Sequence, residues 1–189
     1  MSKIYKSALI AGIVLILFST TIQAQEQSWN WNFKGGIMLP GTVTIEGFGD
    51  ADTELGWIVN TAFDALVAEK FSMGGYLFYS GITEAESGES YGANVLSIGG
   101  ALRGRFKLQG GIQLRPGIVL AYQSTTGDAF DDLTGLNIGL SFDVVFPLKG
   151  FNAIVGELGF MTQPSGGNED VNVTWAPIFY ITVGYEIGG

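Results

Sequence analysis

Residues 136–148 read LNIGLSFDVVFPL, with a large apolar side chain at every second position: Leu136, Ile138, Leu140, Phe142, Val144, Phe146 and Leu148. Between them stand Asn137, Gly139, Ser141, Asp143, Val145 and Pro147, mostly small or polar. A period of two held over 13 residues describes a β-strand with one greasy face and one wet face. Strands of soluble domains commonly end after about 5–6 residues. A strand tilted through a bilayer needs about 9–11. Length and period together point to a strand that crosses a membrane.

The pattern recurs along the chain with turns between. Strand one, 29–39, sets Trp29, Trp31, Phe33, Ile37 and Leu39 against Asn30, Asn32, Lys34 and Met38. Strand two, 55–68, opposes Leu55, Trp57, Val59, Phe63 and Val67 to Asn60, Ala62 and Asp64. Strand three, 71–81, is ambiguous, because Tyr76 and Phe78 share one parity while Phe71, Met73, Leu77 and Tyr79 share the other. Strands four and five flank the turn 109–111, with Arg103, Arg105, Lys107 and Arg115 opposite their apolar faces. The opening stretch is strand six. Strand seven opposes Ile154, Leu158 and Phe160 to Ala153 and Glu157. Strand eight, 171–187, carries Val171, Val173, Trp175, Phe179, Ile181, Val183, Tyr185 and Ile187 on one face. Pro116 and Pro177 fall within strands and lack the N–H a ladder requires, so each is expected at a bulge or near the membrane boundary.

Eight strands joined alternately by long polar stretches and short turns give an all-β fold, an eight-stranded antiparallel up-and-down transmembrane β-barrel. The rival is a soluble carrier barrel, which keeps its greasy face inside. Polarity decides against it. Arg103, Arg105, Arg115, Asp143, Glu157 and Glu186 all lie opposite the broad apolar face, which a soluble barrel would have to expose to water. Trp57, Tyr122 and Trp175 are expected as an aromatic girdle toward the long connections. Trp31, Phe106, Phe146 and Tyr185 are expected toward the short turns.

Residues 1–24 have the form of a signal peptide: Lys3 and Lys6, an apolar core over 8–18, and Ala24 before the expected cleavage. Residues 25–189 then form the barrel domain. The chain holds 18 acidic and 9 basic residues, and two of the basic ones lie in the leader, so nucleic acid is excluded as a partner. With no Cys and no His, disulfides, Ser-His-Asp and Cys-His catalysis and His-ligated zinc are all excluded.

In these features the mature chain resembles the small outer-membrane β-barrel family, typified by outer membrane protein X and the membrane domain of outer membrane protein A. The last strand, WAPIFYITVGYEIGG, is similar to the alternating aromatic final strand that the barrel-assembly machinery recognises, although it ends in Gly188-Gly189. The resemblance implies a bacterial outer-membrane location. It covers adhesion, structural, channel and lipid-modifying proteins, so it leaves the task open.

Two constellations remain. Lys34, Arg103, Arg105 and Arg115 share the inward parity with Asp64, Asp143, Glu157 and Glu186, while Lys107 is expected at the rim. Charges inside so narrow a barrel need partners, which makes a plugging ion-pair network the expectation. Gly99, Gly117 and Gly139 are expected to leave room for the long Arg side chains. The long connections carry Glu46, Asp50, Asp52, Glu54, Glu84, Glu86, Glu89, Asp128, Asp131, Asp132, Glu169 and Asp170, with no Lys or Arg. Of these, Asp50, Asp52, Asp131 and Asp132 are candidate ligands for a divalent cation.

The expected function is a non-enzymatic barrel with a closed lumen and acidic outer loops, serving envelope structure or surface recognition. No cofactor is expected. The expected partners are outer-membrane lipid, lipopolysaccharide and divalent cations, and the expected state is a monomer. Were Phe71, Met73 and Leu77 to face inward, the barrel would instead be a narrow channel for small hydrophobic compounds. A buried carboxylate pair beside a pocket would make it a lipid-modifying envelope enzyme.

Overall fold

The computed structural model describes residues 29–47, 49–86, 89–127, 133–148, 152–163, 166–167 and 172–188. The expected leader, Asp131 and Asp132 lie outside them. Thirteen strands follow in chain order: β1 (Trp29–Met38), β2 (Thr42–Ile45), β3 (Gly49–Asp52), β4 (Gly56–Ala68), β5 (Phe71–Glu86), β6 (Glu89–Gly104), β7 (Phe106–Lys107), β8 (Gln113–Gly127), β9 (Leu133–Pro147), β10 (Asn152–Met161), β11 (Gly166–Gly167), β12 (Asn172–Trp175) and β13 (Ile178–Gly188). Eight of them pair in the order β6-β5-β4-β1-β13-β10-β9-β8, and β8 pairs back to β6. All these pairings are antiparallel, so the sheet closes as an up-and-down barrel. Among the described residues no helix is long and apolar enough to cross a membrane; a closed barrel crosses with its strands.

Side-chain parity sets inside and outside. On β9, Asn137, Ser141, Asp143 and Val145 are buried, while Leu136, Ile138, Leu140, Phe142 and Phe146 are exposed. The same inversion of soluble-protein logic holds around the barrel and yields a continuous apolar outer belt. Strand three resolves on this point. Phe71, Met73 and Leu77 face outward, 49%, 42% and 40% exposed, while Tyr76 and Phe78 are buried inside. The inward placement on which the alternative reading of a hydrophobic channel depended is therefore not found. A bulge between Leu66 and Ala68 absorbs the irregularity, and β5 itself keeps strict alternation.

The long connections differ from expectation. Residues 82–86 and 89–92 continue β5 and β6, and 124–127 and 133–134 continue β8 and β9. These segments are polar but rich in Thr, Ser and Tyr, residues that suit a strand, and ladder pairing beyond the hydrocarbon needs no greasy face. The stretch 41–54 contains a hairpin, β2–β3, which joins β12 and β11 in a separate four-stranded sheet ordered β11-β12-β2-β3. Strand eight is accordingly two strands in two sheets, interrupted at Ala176-Pro177. Inward parity changes there from odd (Val173, Trp175) to even (Ile178, Tyr180, Thr182). Trp175 is thus not a girdle residue; at 8% exposure it is buried beneath the second sheet.

Both prolines sit at breaks. Pro177 marks the change of sheet, and the β6–β8 ladder stops at Arg103–Gly117 and resumes only as Phe106–Leu114, leaving Pro116 opposite the gap. Close packing elsewhere depends on glycine. A Cβ built on Gly159 would collide with the ring of Tyr180, and one on Gly117 would lie 2.8 Å from Cγ of Arg103. Gly99 and Gly139 instead face strand backbones and small apolar atoms, so of the three glycines expected to accommodate arginine only Gly117 does so. Gly159→Val should destabilise the barrel by about 1–3 kcal/mol. Gly156→Val, where a Cβ meets nothing within 4 Å, should leave stability nearly unchanged. Urea titration of the heat-modifiable folded band on a gel checks both.

Candidate functional site: the filled lumen

The register brings the charged residues together. Asp143 on β9 lies opposite Arg115 on β8 and opposite Glu157 on β10. Asp64 on β4 lies opposite Asn30 on β1, and Arg103 on β6 opposite Ser72 on β5. Two carboxylates placed side by side on β9 and β10 would repel at short range inside a protein. Cations reaching across the lumen separate them. Lys34 Nζ, from β1, lies 2.5 Å from Glu157 Oε2 and 3.4 Å from Asp143 Oδ1. Arg103 Nη1 lies 2.6 Å from Asp64 Oδ1, and its Nε lies 3.5 Å from Asp143 Oδ2. Neutral donors complete the coordination of Glu157: Asn60 Nδ2 at 3.0 Å, the Tyr180 hydroxyl at 2.9 Å and Thr182 Oγ1 at 3.3 Å.

A second group lies toward the short turns. Arg115 grips Glu186 through both terminal nitrogens, at 2.5 and 2.8 Å, in the two-pronged geometry that suits guanidinium and carboxylate. Gln113 Oε1 accepts from the same arginine at 3.2 and 3.1 Å. Asn30 Nδ2 donates to Glu186 at 3.2 Å and to Asp64 at 3.4 Å, so one amide ties the two groups together. Arg105 stands apart. It is half-buried and donates to Asn30 Oδ1 at 3.2 Å, and among the described residues it has no carboxylate within ion-pair distance. Lys107 is exposed at the rim.

Above this layer, toward the long connections, the lumen turns apolar. Tyr76, Phe78 and Tyr180 pack together, with rings 6.4 Å apart for Tyr76–Phe78 and 5.8 Å for Phe78–Tyr180. The Tyr76 and Tyr180 hydroxyls lie 3.3 Å apart, linking this cluster to Glu157 below. Met38, Ile58, Val95 and Met161 fill the next level, and the second sheet covers them with Val43, Val173 and Trp175. A buried amide cluster lies beside them. Gln123 donates to Gln163 and to Thr125, and accepts from Asn137 and Ser97. Asn30, Asn60, Gln113 and Gln123 join the network although a search for charges does not find them. Their parity matches that of Lys34, Asp64 and Arg115, so the signal is present in the sequence without a charge to draw attention to it.

The acidic connections show less organisation. Asp50 accepts from Thr44 Oγ1 at 2.7 Å, and both Asp50 and Asp52 are exposed on β3. Among the described residues no group of three or more acidic side chains is placed to hold a metal ion.

A closed antiparallel barrel with lipid-compatible side chains outside and ion pairs inside is, by fold and by the chemistry of its surface, a small outer-membrane β-barrel. No family model matches the chain, and no curated protein matches it in sequence. Among solved structures it is similar to Neisserial surface protein A, with a TM-score of 0.59 at 11% identity over 86% of this chain and 99% of that one. It is also similar to outer membrane protein OprG from Pseudomonas aeruginosa, with a TM-score of 0.56 at 13% identity over 86% and 95% of the two chains. Outer membrane protein AlkL, solved in lipid bilayers, gives 0.53 at 10% identity over 86% and 89%. At such identities the likeness is one of fold.

Lys34 is the test of the network. Lys34→Met should cost about 3–5 kcal/mol, because it leaves Glu157 without an ion-pair partner beside Asp143, which keeps only Arg103. Adding Glu157→Gln to that variant should restore part of the loss. Urea denaturation of the two variants beside the unaltered protein reads both effects.

Proposed function

We propose that this chain is a non-enzymatic outer-membrane barrel whose lumen is closed to ions and solutes. Its acidic loop end serves envelope structure or surface recognition. The observation that carries the reading is the ion-pair layer: Lys34, Asp64, Arg103, Asp143 and Glu157 come from five strands, meet in the lumen, and have side chains no more than 1% exposed. Opening a conducting path there would separate buried charges from their partners, which is strongly unfavourable. The apolar level and the second sheet lie above that layer, so solute entering from the loop end would meet two successive barriers. The non-enzymatic part of the reading rests on the same contacts. The carboxylates at Asp143 and Glu157 are engaged by Lys34, and the chain has no His or Cys to act as base or nucleophile. The partners in this reading are the surrounding outer-membrane lipid, lipopolysaccharide and divalent cations drawn to the acidic loops, and the barrel acts as a monomer.

Refolded protein in planar bilayers, checked for folding by gel shift, should show no discrete openings. Defined single-channel steps would overturn the closed lumen. Arg103→Ala should lower the urea midpoint while remaining silent in the bilayer, because the apolar level above does not depend on that guanidinium. A large rise in conductance in this variant would overturn the assignment of the plug.

A further inference from the structure

The charges outside the lumen divide along the sequence between the short turns and the long connections. Apart from the leader and the four lumen cations, the basic residues are Lys70, Lys107 and Lys149. In the sequence the long connections carry twelve acidic residues and no basic one. Lys149 lies outside the described residues. Lys70 occupies the turn between β4 and β5, and Lys107 lies on β7. A backbone bond joins the two segments, since the Arg105 N–H donates to the Lys70 carbonyl at 2.8 Å. Both lysines are exposed, and the one acidic residue in this turn is Glu69. Beside them, Phe71, Phe106 and Leu108 face outward and continue the lipid-facing belt.

Aromatic and aliphatic side chains at the edge of the hydrocarbon, with amines just beyond, match the layering of acyl chain and headgroup in a lipid leaflet. We propose that the Lys70–Lys107 edge binds the headgroups of anionic phospholipids in the leaflet at the turn end, which in barrels of this class is the periplasmic one. The proposal rests on the outer-membrane reading above. Two observations select the occupant. The positive charge complements an anionic phosphodiester, and the edge is continuous with the outward apolar belt through Phe71, Phe106 and Leu108. A zwitterionic headgroup would gain little there. Each lysine should favour an anionic surface by about fivefold at low ionic strength, an effect that salt screens.

The experiment refolds the full chain into vesicles of phosphatidylcholine, with and without phosphatidylglycerol. The quantity read is the ratio of the two folding equilibrium constants from urea titrations. Lys70→Gln with Lys107→Gln, compared with the unaltered protein, isolates the edge because the acidic loops are the same in both. Removing both lysines should lower the ratio about tenfold or more at low salt. The double Arg variant at the same positions should keep the original ratio, and about 0.5 M salt should erase the difference. An unchanged ratio in the double Gln variant would overturn the proposal, as would free inorganic phosphate reproducing the stabilisation in phosphatidylcholine alone. A conducting barrel that keeps its lysine-dependent ratio would overturn only the closed-lumen reading. A silent barrel without that dependence would overturn only the lipid contact.

Discussion

Hydrocarbon offers a peptide group no hydrogen-bond partner, and the rest of this structure depends on that constraint. A sheet in lipid must close, and here the β6–β8 pairing closes it. Closure with eight strands fixes a lumen only wide enough for side chains. The alternation of the strands then obliges every second residue to enter that space. What fills the lumen is therefore whatever the wet face of each strand carries, and the sequence must make those residues compatible with one another across the barrel. Lys34 between Asp143 and Glu157, and Arg103 between Asp64 and Asp143, show that compatibility.

The barrel is legible because its decisive signal is local and periodic. Residues 136–148 announce a membrane strand without reference to any partner, and the inward parity of Lys34, Asp64, Arg103, Arg115, Asp143, Glu157 and Glu186 follows from counting in twos. Which charge meets which cannot be counted, because it depends on stagger between strands. Arg115 faces Asp143 across the ladder yet pairs with Glu186, and Arg105 pairs with no carboxylate among the described residues. The stretches that depart from expectation share one cause. Polarity by itself suggests a loop, whereas the ends of β5, β6, β8 and β9 are polar and paired. At Pro177 a regular alternation conceals a change of sheet, so Val173 and Trp175 keep the parity of the lipid face while turning inward. Single-strand periodicity carries no information about such a reversal; only the proline hints at it.

The lumen is layered by chemistry. Bidentate and bridging ion pairs occupy the half toward the short turns, and aromatic and aliphatic side chains occupy the half toward the long connections. Tyr180 belongs to both, with its ring against Phe78 and its hydroxyl donating to Glu157. Gly159 makes this possible by leaving the space its side chain would have taken. Conformational specificity in the ionic half comes from hydrogen-bond direction, and in the apolar half from shape.

The second sheet also constrains the order in which the molecule can be made. Its central pair joins β2, which follows the first barrel strand, to β12, which precedes the last. Bringing two such distant segments together by themselves would carry the full entropy of closing a very long loop. Once β1 and β13 have met, most of that entropy has already been lost, and the pairing of β2 with β12 becomes a short extension of an existing ladder. The cap is therefore a late element of folding with high contact order, and its formation reports that the seam between the chain ends has closed.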